Sequence, residues 1–91
     1  MLSVRWTEQA TTDLAEIVDD IDARNPAAAQ ALKIDIFAIA ERLGERPFLY
    51  RPGRVPGTRE AVVRPTYLIV YRAGSQFVDL LRILHTAREY P

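Results

Sequence analysis

The chain has 91 residues, of which 48% are hydrophobic and 26% are charged, and its formal net charge is zero. This length predicts one domain spanning residues 1–91, and the composition excludes an intrinsically disordered chain. Cysteine is absent, which excludes disulfides and thiolate metal sites, so we expect no metal and no other cofactor. No segment has the length of a transmembrane helix or the pattern of a signal peptide, so we expect a cytoplasmic protein without membrane contact.

The zero net charge combines two halves of opposite sign. Residues 1–45 carry four basic and nine acidic side chains, whereas residues 46–91 carry eight arginines and three acidic side chains. Arginine suits bidentate contacts with phosphate or carboxylate groups. Two interpretations are open at this point: an arginine-rich side that meets an anionic partner, or two halves that neutralise each other within one fold.

The first half of the chain predicts a short strand followed by two helices. Alternating apolar residues at 2, 4 and 6 indicate the strand, and Thr7 is a predicted N-cap. The apolar spacing of the first helix leaves its acidic residues mostly on the solvent face, and the helix should end near Arg24. These acidic residues are Asp13, Glu16, Asp19, Asp20 and Asp22.

Asn25 and Pro26 predict the start of the second helix, as its cap and its first residue. An apolar stripe continues to Gly44, the predicted stop. The short connection between the two helices predicts an antiparallel helical hairpin.

The second half of the chain predicts a loop at residues 46–57 and then three strands. The strands are indicated by residues 62–63, 67–71 and 77–84, and Gly74 and Ser75 predict the turn between the last two. The run 67–71 is almost wholly apolar, which is typical of a central strand covered on both faces. The predicted order is βααβββ, an α+β fold with an N-terminal strand and a helical hairpin packed on an antiparallel sheet. A hairpin this small could leave an apolar groove for a partner.

Several polar side chains lie on or just after the predicted sheet. A histidine or glutamate base with two arginines could in principle cleave RNA. The alternative is that the arginines are solvated partners of Glu60, Asp79 and Glu89, and that His85 is structural. The residues in question are Arg59, Glu60, Arg72, Arg82, His85, Arg88 and Tyr90.

Several segments, taken in order, resemble the ParE/RelE superfamily of bacterial type II toxins. The resemblance covers nearly the whole chain and implies a growth-arrest toxin that a cognate antitoxin neutralises, with operator DNA bound only through the antitoxin. The segments are Trp6, Asp13 to Ile17, residues 25–28, 51–60, 67–72 and 84–88.

The superfamily resemblance implies one of two activities. The RelE-like branch cleaves mRNA on the ribosome and typically has a catalytic arginine at the second position of the central strand, where this chain has Leu68. The ParE-like branch lacks that active site and inhibits DNA gyrase by binding its A subunit. Leu68 therefore favours a ParE-like toxin without catalytic residues, and a RelE-like endoribonuclease is the alternative.

The resemblance and the charge pattern together give the predicted sites. The target-binding surface is predicted to contain Arg59, Arg82, His85, Arg88 and Tyr90. In the ribonuclease alternative the catalytic residues would be Arg59, His85, Arg88 and Tyr90. The antitoxin is predicted to contact Leu14, Ile17, Leu32 and Ile36 on the helical hairpin.

Overall fold

A computed structural model describes residues 1–86 as two helices packed on a five-stranded sheet. The strands lie in the order β1-β5-β4-β3-β2. The α+β class and the helical hairpin are confirmed. The elements are β1 (Ser3–Trp6), α1 (Glu8–Asp22), α2 (Pro26–Glu45), β2 (Arg51–Pro52), β3 (Arg59–Val63), β4 (Tyr67–Ala73) and β5 (Phe77–His85).

The sheet differs from the prediction in two ways. The N-terminal strand β1 pairs in parallel with β5, so the sheet is mixed rather than purely antiparallel. A further strand, β2, lies within the segment predicted as loop and pairs antiparallel with β3. Only two residues form β2, and Pro52 has no amide hydrogen to donate, so no strand pattern marks it in the sequence.

Both predicted helix N-caps are confirmed. The Thr7 hydroxyl accepts a hydrogen bond from the Ala10 amide at 3.2 Å, and the Asn25 side chain accepts one from the Ala28 amide at 3.1 Å. These bonds satisfy amides that have no partner within the helix. No helix within residues 1–86 is both long and apolar enough to span a membrane.

Gly44 does not end α2 as predicted, because the helix continues to Glu45. The glycine instead allows a close approach between α2 and the start of the chain. Its carbonyl accepts a hydrogen bond from the Leu2 amide at 2.9 Å, and a Cβ at this position would lie 2.6 Å from the Leu2 carbonyl oxygen. The position is therefore set by tertiary packing rather than by helix termination.

Strand β4 is central and buried on both faces, as predicted. Its four residues from Leu68 to Tyr71 are each at most 2% exposed. Ile69 and Tyr71 pack in the core beneath the helices, together with Leu32, Ile36 and other apolar side chains. Leu68 and Val70 alternate with them and lie on the opposite face of the sheet, which we call the open face.

Candidate target-binding surface

Strand β5 is longer than its neighbour β1, and helix α1 lies against the part that β1 does not cover. The pairing of β1 with β5 ends at Trp6 and Leu80. Beyond it, the Ile83 amide donates to Oδ2 of Asp13 at 3.0 Å. A carboxylate of α1 thus replaces the neighbouring strand as the acceptor for a backbone amide that would otherwise be at an unpaired edge.

The same carboxylate binds Arg82 through two atoms. Arg82 donates from Nε to Oδ2 of Asp13 at 2.8 Å and from Nη2 to Oδ1 at 3.2 Å. The Gln9 side-chain amide adds a third side-chain donor at 2.9 Å. The Asp13 side chain is 9% exposed and that of Arg82 is 45% exposed, so the buried acid anchors a half-exposed cation.

Asp13 is therefore an exception to the predicted solvent face of α1. Burial alone would raise the pKa of its carboxyl group, but hydrogen bonds from Arg82, Gln9 and the Ile83 amide outweigh burial and leave the pKa below its ordinary value. The burial of Asp13 could have been predicted from the sequence. Asp13 lies three residues after Ala10 and four before Ile17, on the apolar stripe of the helix.

A groove of about 410 Å³ opens beside this junction, between α1 and the end of β5. Arg82 and His85 both line it, and the His85 ring packs edge-on against Tyr67 with ring centroids 5.2 Å apart. The structure thus brings together two of the predicted target-binding residues. The remaining lining residues are Asp13, Glu16, Ile17, Asp20, Ile83 and Leu84.

Arg59, a third predicted target-binding residue, lies away from this groove. Its cross-strand partner is Tyr71, on the face beneath the helices, whereas Arg82 pairs with Val70 on the open face. The Arg59 guanidinium donates to the Tyr50 carbonyl at 2.7 Å and lies 5.1 Å from the centroid of the Phe48 ring. Its contacts therefore hold the segment between α2 and β2 against the sheet.

Tyr71 holds the same segment from within the core. Its hydroxyl donates to the Pro47 carbonyl at 2.7 Å, and burial raises the pKa of Tyr71 to about 12. Arg88 and Tyr90, the other two predicted target-binding residues, lie outside the residues that the structure describes.

Leu68 occupies the middle of an aliphatic row across the open face. Its cross-strand neighbours are Val62 on β3 and Leu84 on β5. Side chains directly opposite each other on neighbouring strands share a face and lie in contact range. The position where the RelE-like branch would have an arginine is therefore flanked by two more aliphatic side chains.

Two acidic side chains of the open face, Glu60 and Asp79, pair with arginines, as the alternative interpretation predicted, but their partners are Arg51 and Arg5. Arg72 is exposed on the same face. Glu60 accepts from the Arg51 guanidinium and from the Arg54 amide, each at 3.2 Å. Asp79 binds Nε of Arg5 at 2.7 Å, and this hydrogen bond lowers the pKa of its carboxyl group. Glu60 is nearly fully buried, so it fixes the loop after β2 against β3.

Of the four residues predicted to contact an antitoxin, Leu14, Leu32 and Ile36 are buried within the chain's own core. Ile17 is partly exposed and lines the groove beside Arg82. A second groove, more apolar, lies between β1 and α2 and is lined by residues 1–4 and Trp6 together with Phe37, Ala40 and Glu41. Residues 1–86 contain no cluster of three acidic or histidine side chains that could hold a metal ion.

Comparison with known proteins decides the family. Residues 4–90 match the model of the ParE toxin of the type II toxin-antitoxin system, parDE. The chain belongs to this family of toxins. It is 38% identical over 90 residues to toxin RelE2 of Caulobacter vibrioides, and the match covers 97% of this chain and 99% of the relative.

Solved structures agree with this assignment. The chromosomal ParDE toxin–antitoxin system from P. aeruginosa contains a chain that superposes with a TM-score of 0.84 at 27% identity, covering 93% of this chain and 96% of that one. The toxin–antitoxin complex RelBE2 from Mycobacterium tuberculosis gives a TM-score of 0.65 at 28% identity, with coverage of 92% and 96%. The relatives thus include both ParE and RelE names, and the protein is a type II toxin of the ParE/RelE superfamily.

Proposed function

We propose that this toxin inhibits bacterial DNA gyrase by binding its A subunit, and that a cognate antitoxin neutralises it. The observation that carries this proposal is the aliphatic row of Val62, Leu68 and Leu84. A leucine side chain cannot donate a hydrogen bond to the negative charge that develops during RNA cleavage. Loss of one such donor typically lowers the rate by a factor on the order of 10²–10³.

The groove beside α1 supplies a surface suited to binding rather than to cleavage. Arg82 is half exposed and held in place by Asp13, and His85 packs against Tyr67. A held guanidinium loses less conformational entropy when it binds a partner than a mobile one does. Arg82 and His85 are therefore the described residues that we place in the contact with gyrase, and Arg88 and Tyr90 continue this surface in the prediction.

Supercoiling by purified gyrase tests the target. We expect the toxin to abolish supercoiling at saturating concentration, and a two-fold excess of antitoxin to restore it. The same toxin preparation should leave mRNA intact on translating ribosomes. Normal supercoiling together with mRNA cut at the ribosome would contradict the proposal.

A RelE-like endoribonuclease is the second candidate, and one observation favours it. Arg82 and His85 line the same groove, so a cation and a possible proton acceptor occur together. Arg59 would contribute little to such a site, because its guanidinium binds the Tyr50 carbonyl and Arg59 is not among the residues that line the groove. In this case His85→Ala should abolish mRNA cleavage while the protein stays folded, and cleavage that persists would exclude that role.

The apolar groove between β1 and α2 is where we place part of the antitoxin. Phe37, which lines the groove, is 45% exposed, and Ile34, three residues before it on α2, is 58% exposed. Exposed apolar side chains at such spacing are typical of protein interfaces. Both solved relatives described above come from toxin–antitoxin systems. An apolar helix face of the antitoxin is the occupant that suits such a groove.

Phe37→Glu tests this placement. The variant should bind the antitoxin about tenfold or more weakly, as loss of an interface aromatic residue commonly does. It should still arrest growth, because Phe37 and Arg82 line different grooves that have no lining residue in common. Unchanged antitoxin affinity would exclude the groove as part of the interface.

A further inference from the structure

We propose that Asp13 is a positioning residue for toxicity: helix α1 uses it to fix the direction in which Arg82 presents its guanidinium to the target. This inference rests on the proposed role of Arg82, and it adds a residue that does not itself touch the target. It predicts that Asp13 and Arg82 act as one unit.

The geometry at Asp13 is that of an orienting contact rather than of a surface ion pair. Both carboxylate oxygens accept from Arg82, at 2.8 and 3.2 Å, which fixes the plane of the guanidinium as well as its place. The carboxylate cannot rotate freely, because Gln9 and the Ile83 amide each donate to it as well. The Asp13 carboxylate therefore accepts four hydrogen bonds, and it fixes the Arg82 guanidinium.

The side chains of Asp13 and Arg82 differ in their exposure to solvent, and this difference separates their roles. The Asp13 side chain is 9% exposed, so it is nearly inaccessible to a macromolecular partner, whereas that of Arg82 is 45% exposed. A partner can thus contact Arg82 directly, whereas Asp13 affects the partner only by positioning Arg82. The exposed ion pair between Asp20 of α1 and Arg24, just beyond the helix, lacks this asymmetry because the Arg24 and Asp20 side chains are 67% and 64% exposed.

Glu60 offers a matched control elsewhere on the sheet. It is a second buried acid that binds an exposed arginine, Arg51, and a backbone amide. Glu60→Gln should disturb Arg51 and leave Arg82 in place. Asp13→Asn removes the charge but keeps an oxygen that can accept from the Ile83 amide, so the strand edge remains capped.

The test combines growth arrest with a direct measurement of the Arg82 side chain. Asp13→Asn, Arg82→Ala, the double variant and Glu60→Gln are each expressed without antitoxin over the same range of protein levels. The temperature is one at which all of them are folded. We expect Asp13→Asn and Arg82→Ala each to require about tenfold more toxin for half-maximal arrest. The double variant should also require about tenfold more, whereas independent effects would multiply to about a hundredfold.

Nuclear magnetic resonance of the Arg82 Nε–H group reports on position independently of the target. We expect a slowly exchanging, ordered Nε–H in the wild type and in Glu60→Gln, and a mobile one in Asp13→Asn. Full toxicity of Asp13→Asn, or an ordered Arg82 in that variant, would overturn the inference, as would multiplicative losses. Growth arrest does not depend on which target is hit, so these outcomes are distinct from a failure of the gyrase assay.

Discussion

Two regions of the sheet use the same device, a buried acid that binds an exposed arginine and a backbone amide. At the junction of α1 and β5, Asp13 binds Arg82 through two atoms and caps the edge of a strand. Between β2 and β3, Glu60 binds Arg51 through one atom at 3.2 Å and also accepts from the Arg54 amide in the loop after β2. The difference lies in what surrounds each arginine, because only Arg82 lies in a groove with His85 and Tyr67.

The ion pairs that Asp13 and Glu60 form are therefore not equivalent. Both acids fix a segment to the sheet, so both contribute to folding. Only the junction pair also directs a cation toward a concave surface, where a partner can surround it. We therefore expect stability to depend on both regions and toxicity to depend on one.

The largest effect on stability is expected at the junction. Asp13→Ala leaves Arg82 and the Ile83 amide without their acceptor, which should lower the free energy of unfolding by about 2–3 kcal/mol. Urea denaturation followed by circular dichroism measures this loss. A loss below that of the corresponding change at Glu60 would reverse the ranking of the two regions.

A slightly smaller loss of stability is expected when a side chain crowds the loop after β2. A Cβ on Gly53 would lie 3.3 Å from the backbone of Thr58 and closer still to its hydroxyl, which donates to the Val55 carbonyl at 2.6 Å. Gly53→Ala should therefore destabilise the protein by about 1–2 kcal/mol through overpacking. Thermal unfolding should show this loss of stability, while growth arrest stays at the wild-type level. Reduced toxicity of the variant would indicate that the loop takes part in the target contact.

Glu60→Gln should have a smaller effect again. The amide keeps an oxygen for the Arg54 backbone amide but loses the charge that attracts Arg51, which is 59% exposed and remains hydrated. We expect a loss of about 1 kcal/mol in the free energy of unfolding. A loss equal to that of Asp13→Ala would show that the two acids contribute alike.

The pH dependence of unfolding distinguishes the junction from the rest of the chain. The pKa of Asp13 in the folded state lies below its ordinary value, so its contribution is complete above about pH 4 and is lost as pH falls through the folded-state pKa. The pKa of Asp79 is also lowered, but Asp79 contributes to stability in the wild type and in Asp13→Asn alike. Asp13→Asn should therefore lose less stability than the wild type on acidification, and identical slopes would contradict the pKa assignment.

Much of the fold could be predicted because local signals agree with it. Thr7 and Asn25 mark helix starts with their own side chains, and the apolar run of β4 marks a strand buried on both faces. The parallel pairing of β1 and the real role of Gly44 could not be predicted, because both depend on contacts between distant parts of the chain.

The site was less predictable for a similar reason. Arg82 and His85 could be named from the resemblance, but the same pattern also indicates Arg59, whose contacts with Tyr50 and Phe48 hold it outside the groove. The acidic pattern of α1 predicts a solvent-facing Asp13, although its spacing from Ala10 and Ile17 puts it on the apolar stripe. Which arginine Asp13 binds depends on how α1 packs against β5, a contact between residues that are distant in the sequence.

The most direct test of the difference between the two regions compares two single arginine variants. Arg82→Ala and Arg51→Ala each remove a half-exposed guanidinium from a buried acid. With purified gyrase, we predict that Arg82→Ala inhibits supercoiling at least about tenfold more weakly than the wild type, while Arg51→Ala inhibits as strongly as the wild type. Equal inhibition by the two variants would contradict the proposed role of Arg82 in binding gyrase.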